Sequence, residues 1–183
     1  MKSPQTMRYL LLSCLALAAA GFILSVTAHI FGLLGKMPPG GELVMSLHMG
    51  IFIVWMPTVL VAGRATKWTN RNDFWKIALA GCPGWMRYTL YGLFGYAIVN
   101  FVLFAIVNSD VHHATKEVSP ETVRGFSGHW MVFYAAAFAT LYSVTRSPQL
   151  LREHKCSNGH IVSPADAYCP TCGAALPNSM GFN

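Results

Sequence analysis

The side chains best equipped to do chemistry together stand near the end of the chain: Cys156, His160, Cys169 and Cys172. They read as Cys-x3-His followed by Cys-Pro-x-Cys-Gly, two clusters of soft donors. Three thiolates and an imidazole make a closed tetrahedral shell, and zinc suits such a shell best among the biological divalent ions. In Cys169-Pro170-Thr171-Cys172-Gly173 the turn aims two sulfurs at one ion, and Gly173 supplies the dihedrals that such a knuckle requires. A closed shell leaves no position for a substrate, so the chemistry on offer is structural or interactive. The competing use of these thiols is a disulfide, which a reducing cytoplasmic compartment disfavours. Cys14 and Cys82 have no neighbouring partner in the sequence and are expected to pack as small apolar residues.

A second set lies in apolar surroundings. His29, His48 and His129 each stand about five or six residues inside a long uncharged stretch, roughly 8 Å below its end at about 1.5 Å per residue. Asn100 occupies a fourth such stretch, somewhat deeper. Ionisable groups inside a membrane are costly and mark candidate sites. Two of the imidazoles could ligate the iron of haem b between aromatic walls, or copper could be held by imidazole with the thioethers of Met45, Met49 and Met131, and His112 and His113 could collect ions in the loop above. The plainer alternative is that these histidines join helices by hydrogen bonds or contact lipid headgroups. Both stay open at this point.

The elements that must position these residues follow from charge spacing. Of 183 residues, 54% are hydrophobic and 11% charged, far from soluble globular usage. No acid or base interrupts 9–35, 43–63, 88–109 or 125–145. Each interval meets the roughly 20 residues that cross about 30 Å of hydrocarbon. Lys2 and Arg8 before an apolar run ending near Ala18-Ala19-Ala20 resemble a signal peptide, but the run continues to Leu34, so an uncleaved first helix is expected. Lys36-Met37-Pro38-Pro39-Gly40-Gly41 turns the chain between the first two spans, and Ser119-Pro120-Glu121 starts the last. Residues 72–81 form a short amphipathic helix, too short to span, with Trp68, Trp75 and Trp85 marking the headgroup region. Pairs of small residues four apart, Ala16/Ala20, Ala28/Gly32 and Ala135/Ala139, would let helices approach closely.

Basic residues set the orientation. Of the 13 lysines and arginines, only Lys36, Lys116 and Arg124 fall on one side, which is therefore the outer one. Both termini are then cytoplasmic, and the net charge of +6 reads as a topology signal, with no nucleic acid expected. The fold class is an all-α membrane protein: residues 1–146 form a four-transmembrane-helix bundle, N-in and C-in, with the interfacial helix, and residues 147–183 form a cytoplasmic tail.

Over about residues 155–176 that tail resembles the zinc-ribbon modules found at the ends of many bacterial proteins. Its Cys-x3-His half departs from their commoner Cys-x-x-Cys knuckle, a departure that falls on His160. The resemblance implies a ribbon that folds on binding zinc, in a protein of the bacterial inner membrane. The bundle shows no phosphate-binding loop, HExxH or Gly-x-Ser-x-Gly and no acid within a span, which argues against the common enzyme classes and proton-coupled transport. Two functions are expected: an accessory or regulatory subunit whose ribbon binds a protein partner in a larger membrane complex, or a histidine-ligated haem b or copper protein.

Overall fold

A computed structural model describes residues 4–107, 118–164 and 166–176. Five α-helices account for most of it: α1 (Pro4–Leu33), α2 (Ser46–Ala65), α3 (Phe74–Ala78), α4 (Gly84–Val107) and α5 (Pro120–Arg146). Two short strands, β1 (His154–Lys155) and β2 (Ile161–Val162), pair antiparallel in the tail with His154 opposite Val162. Three helical segments, Gln5–Leu33, Gly41–Ala65 and Gly84–Val107, are long and apolar enough to cross a membrane.

Helix α5 has the length but is less apolar than these three, and its position explains the difference. It packs against α1, α4 and α2. Its buried residues include Ser127, Thr140 and Ser143 beside Trp130, Met131 and Tyr134. The other three helices carry the large exposed side chains, such as Ile23, Leu60 and Ile106, that a lipid environment favours. An enclosed helix can be polar; a lipid-facing one cannot.

Close packing around α5 depends on small residues. Along α1 the buried positions Ala18, Gly21, Ser25, Ala28 and Gly32 recur every three or four residues and form one stripe. A β-carbon on Gly21 would strike the Tyr134 ring, and one on Gly32 would press on the Arg124 backbone. The Ala28/Gly32 pair thus lies in the helix contact, whereas Ala16 and Ala20 are exposed and lie outside it.

Helix ends follow their sequence cues. α1 stops where Gly35 turns left-handed (φ 66°) and Lys36 N–H bonds the Phe31 carbonyl at 3.0 Å. Ser119 caps α5 by accepting from Thr122 N–H at 3.2 Å. The interfacial helix expected over 72–81 is shorter: a 3-10 turn at Arg71–Asp73 leads into α3, and the chain then folds inward. Leu79 is fully buried, and the Gly81 N–H donates to Ser143 Oγ at 2.9 Å, so this segment is fastened to the C-terminal end of α5. Beyond α5, Leu150 of a short 3-10 turn joins Ala65, Ile77 and Val144 in a buried cluster.

A β-carbon on Gly81 would run into the backbone carbonyl of Ser143, which has no flexible side chain to yield. Gly81→Val should therefore cost about 1–3 kcal/mol through overpacking, while Gly63→Ala, where nothing lies near, should be close to neutral. Thermal unfolding of the two variants in detergent measures the difference.

Candidate metal centre

The tail is built as two knuckles facing each other. In the first, Cys156 N–H bonds the His160 carbonyl at 3.0 Å and Gly159 N–H bonds the Cys156 carbonyl at 2.9 Å, with Gly159 at φ 83°. In the second, Cys169 N–H bonds the Ala174 carbonyl at 2.8 Å and Gly173 N–H bonds the Cys169 carbonyl at 2.9 Å, with Gly173 at φ 70°. A left-handed glycine closes each turn, because a β-carbon there would be strained. Cys156, Val162 and Cys169 form a small buried core lined by Ala174 and Leu176.

The four donor atoms of Cys156, His160, Cys169 and Cys172 lie within 4.8 Å of one another. Cys156 Sγ stands 3.6 Å from His160 Nδ1 and 3.8 Å from Cys172 Sγ, and Cys169 Sγ stands 3.8 Å from the same nitrogen. These sulfurs are free thiols, and 3.8 Å is far beyond the roughly 2.05 Å of a disulfide bond. The set could hold a metal ion. Among the described residues it is the one group of three or more such ligands that converges.

The surroundings favour thiolate. The Ala174 backbone N–H, with the side chains of Asn158 and His160, pulls the Cys172 thiol down from 9.0 to about 6. Burial opposes ionisation of Cys156, but the backbone N–H groups of Asn158 and His160 hold it below its ordinary value. Cys169 is raised by its burial. Hydrogen bonding to Cys172 and Cys156 raises His160 above its ordinary value. Asn158 was not among the expected site residues; its signal is its place inside the Cys-x3-His turn.

The membrane histidines separate into two groups on different sides of α5. The Ser127 hydroxyl donates to the Arg124 carbonyl at 3.1 Å, leaving its oxygen to accept from His29 Nδ1–H at 2.8 Å. His29 Nε2 then accepts from the Tyr96 hydroxyl. This one ring ties α1 to α5 and α4. On the other side, Trp130 Nε1–H donates to His48 Nδ1 at 3.1 Å, and His129 Nε2 lies 3.3 Å from the same nitrogen. The His48 and His129 rings meet edge to face, 5.3 Å between centroids, which leaves no gap for a flat macrocycle between them. Asn100 Nδ2 donates to the carbonyls of Arg124 and Gly125 at 3.0 and 3.4 Å, against the bare backbone of Gly128.

His29, His48, Asn100 and His129 thus make helix-joining hydrogen bonds, and among the described residues the three imidazoles do not gather at one point. Tyr96, Ser127 and Trp130 complete these bonds. Of the candidate thioethers, Met49 is 66% exposed and Met131 is buried, while Met45 packs at the edge of the core. His129 lies on the wall of an apolar groove of about 650 Å³ between α2 and α4, lined by Trp55, Phe94, Phe101 and Phe133. His112 and His113 lie outside the described residues. Cys82 behaves as a packing residue: burial pushes its thiol up to about 11, and Sγ–H donates to the Ala139 carbonyl at 3.1 Å.

No protein-family model matches this chain, and no curated protein or solved structure matches it significantly.

Elemental analysis of the purified protein should find about one tail-bound ion per chain, as a four-ligand set allows. Cys169→Ser combined with Cys172→Ser should remove it while leaving the helical circular dichroism of the membrane domain in place. Retention of the ion by that double variant would refute the ligand set.

Proposed function

We propose that this chain is an integral membrane accessory subunit, with four spans, both termini cytoplasmic, and a zinc ribbon that binds a protein partner on the inner side of a larger membrane complex. The observation that carries the reading is the spacing of the four donors. Tetrahedral zinc with bonds of about 2.3 Å to sulfur and about 2.0–2.1 Å to nitrogen requires about 3.8 Å between sulfurs and about 3.6 Å between sulfur and nitrogen. The Cys156–Cys172 sulfur separation of 3.8 Å and the Cys156 Sγ–His160 Nδ1 separation of 3.6 Å are those of such a shell, and the whole set lies within 4.8 Å, close enough to tighten onto one ion. With all four positions taken by protein, zinc has no site for substrate, so the ribbon serves shape and contact rather than catalysis.

The fourth span is α5. Its 27 residues are long enough, and its polarity is supported by being enclosed by α1, α2 and α4. The ribbon is also fastened in place: Leu150 is buried against the inner helix ends, and Thr69 Oγ1 lies 3.2 Å from Ser163 Oγ. Its outward surface presents Tyr168 at 66% exposure and Ile161 at 38%, apolar groups suited to a protein contact.

Native electrophoresis in mild detergent tests this. The wild-type chain should migrate in an assembly larger than one chain with its micelle, and Ile161→Ser with Tyr168→Ala should release it with zinc retained. A wild-type chain that migrates alone, or an assembly that survives the double variant, would count against the reading.

A second reading rests on His129 at the wall of the aromatic groove with His48 beside it, where haem b or copper could bind near the outer face. Iron or copper beside zinc in the same elemental analysis, lost on His129→Ala, would favour it.

A further inference from the structure

A cavity of about 360 Å³ lies between the inner end of α2 and the start of the tail, away from both the thiolate cluster and the histidine layer. Its walls carry Arg64, Lys67 and Arg152 against a single carboxylate, Glu153, with Trp68 and His154 beside them. All three cations are exposed, and with a single carboxylate beside them they give the cavity a net positive charge that attracts an anion. Among the described residues none of the three has an ion-pair partner. Lys67 Nζ instead rests over the Trp68 ring, 4.5 Å from its centroid. His154 Nε2 is shut away from solvent with no hydrogen-bond partner, a costly state for a polar atom.

An excess of cations and an unmet polar nitrogen share one remedy, an oxyanion that accepts several charge-assisted hydrogen bonds at once. Phosphoryl groups have the oxygens to do so, and guanidinium forks match them in geometry. The walls of the cavity are positioned by contacts outside it. Leu150 anchors the tail on the α2 and α5 ends, and β1, which carries His154, is paired to β2. Lys67 and Trp68 follow closely on Gly41–Ala65, a segment of membrane-crossing length, and a Trp and a Lys at the end of such a segment suit the headgroup level.

We propose that this cavity is a phosphoryl-binding site formed jointly by α2 and the tail, with Arg64, Lys67 and Arg152 supplying charge and His154 Nε2 an additional hydrogen bond. Two sources carry that chemistry, the headgroup of an anionic phospholipid and free phosphate.

Full-length protein in detergent is titrated with short-chain phosphatidylglycerol, short-chain phosphatidylcholine and inorganic phosphate, and binding is followed by native mass spectrometry. Preferential binding of phosphatidylglycerol over phosphatidylcholine with no binding of inorganic phosphate supports the site with lipid as its source. Saturable binding of inorganic phosphate that displaces phosphatidylglycerol supports it with a free anion. In either case Arg64→Gln with Arg152→Gln should weaken binding about tenfold or more, whereas Arg71→Gln, away from the cavity, should not. Zinc content and thermal midpoint of the double variant serve as the folding control, and His154→Ala, should the double variant misfold, provides the second comparison. Equal binding of both lipids without phosphate binding, no binding of any probe, or unchanged binding in the variants overturns the proposal.

Discussion

In a medium without water, a helix can carry polar side chains only where other helices satisfy them. Helix α5, read as a fourth span, would be built under that constraint. It holds Ser127, His129, Thr140 and Ser143 within one helix, and the packing of the membrane domain serves to enclose them. α1 meets it with a stripe of small residues and with His29, α4 with Asn100 and Tyr96, and α2 with His48. Interhelical hydrogen bonds of this kind contribute only about 0.6–2 kcal/mol each, but they specify which faces meet. The same constraint explains the distribution of hydropathy: the helices that wrap α5 are apolar because their outer faces have no polar partner.

The end of the bundle that carries the tail is organised by a different interaction. A ribbon of about twenty residues buries too little apolar surface to fold unaided, and an ion held by the Cys3His set would supply the missing stability. Two glycine-closed knuckles bring the donors within 4.8 Å of one another, and the tail reaches the bundle through Leu150 and through Thr69 with Ser163. These contacts join the ribbon to the ends of α2 and α5. The basic cavity sits at that junction, where a ligand would contact both parts.

The features that proved legible in the sequence are local ones. Cys156, His160, Cys169 and Cys172 could be read as a set because their turns fix their geometry within a few residues. Uncharged intervals located the long helices, and Ser119-Pro120-Glu121 located the start of α5. Helix rotation was not legible. Along α1 nearly every position is apolar or small, so no periodicity separates the packed Ala28/Gly32 from the exposed Ala16/Ala20. The depth of His29, His48 and His129 was readable from residue counts, but depth does not determine angle, and the angles divide them between two hydrogen-bond groups. Tyr96 could not be linked to His29, since the two lie 67 residues apart on helices that are not neighbours in the sequence. The interfacial helix is shorter than its amphipathic pattern because Gly81 is drawn to Ser143, a tertiary contact with no local signal.

Single cysteines at the two ends of α5 test the enclosed fourth span most directly. Glu121 and Gln149 are both exposed, so Glu121→Cys and Gln149→Cys can each be probed with a membrane-impermeant maleimide on intact cells, against the parent chain. The four-span topology predicts that Glu121→Cys is labelled at once and Gln149→Cys only after permeabilisation; labelling of both positions from the same side would contradict it.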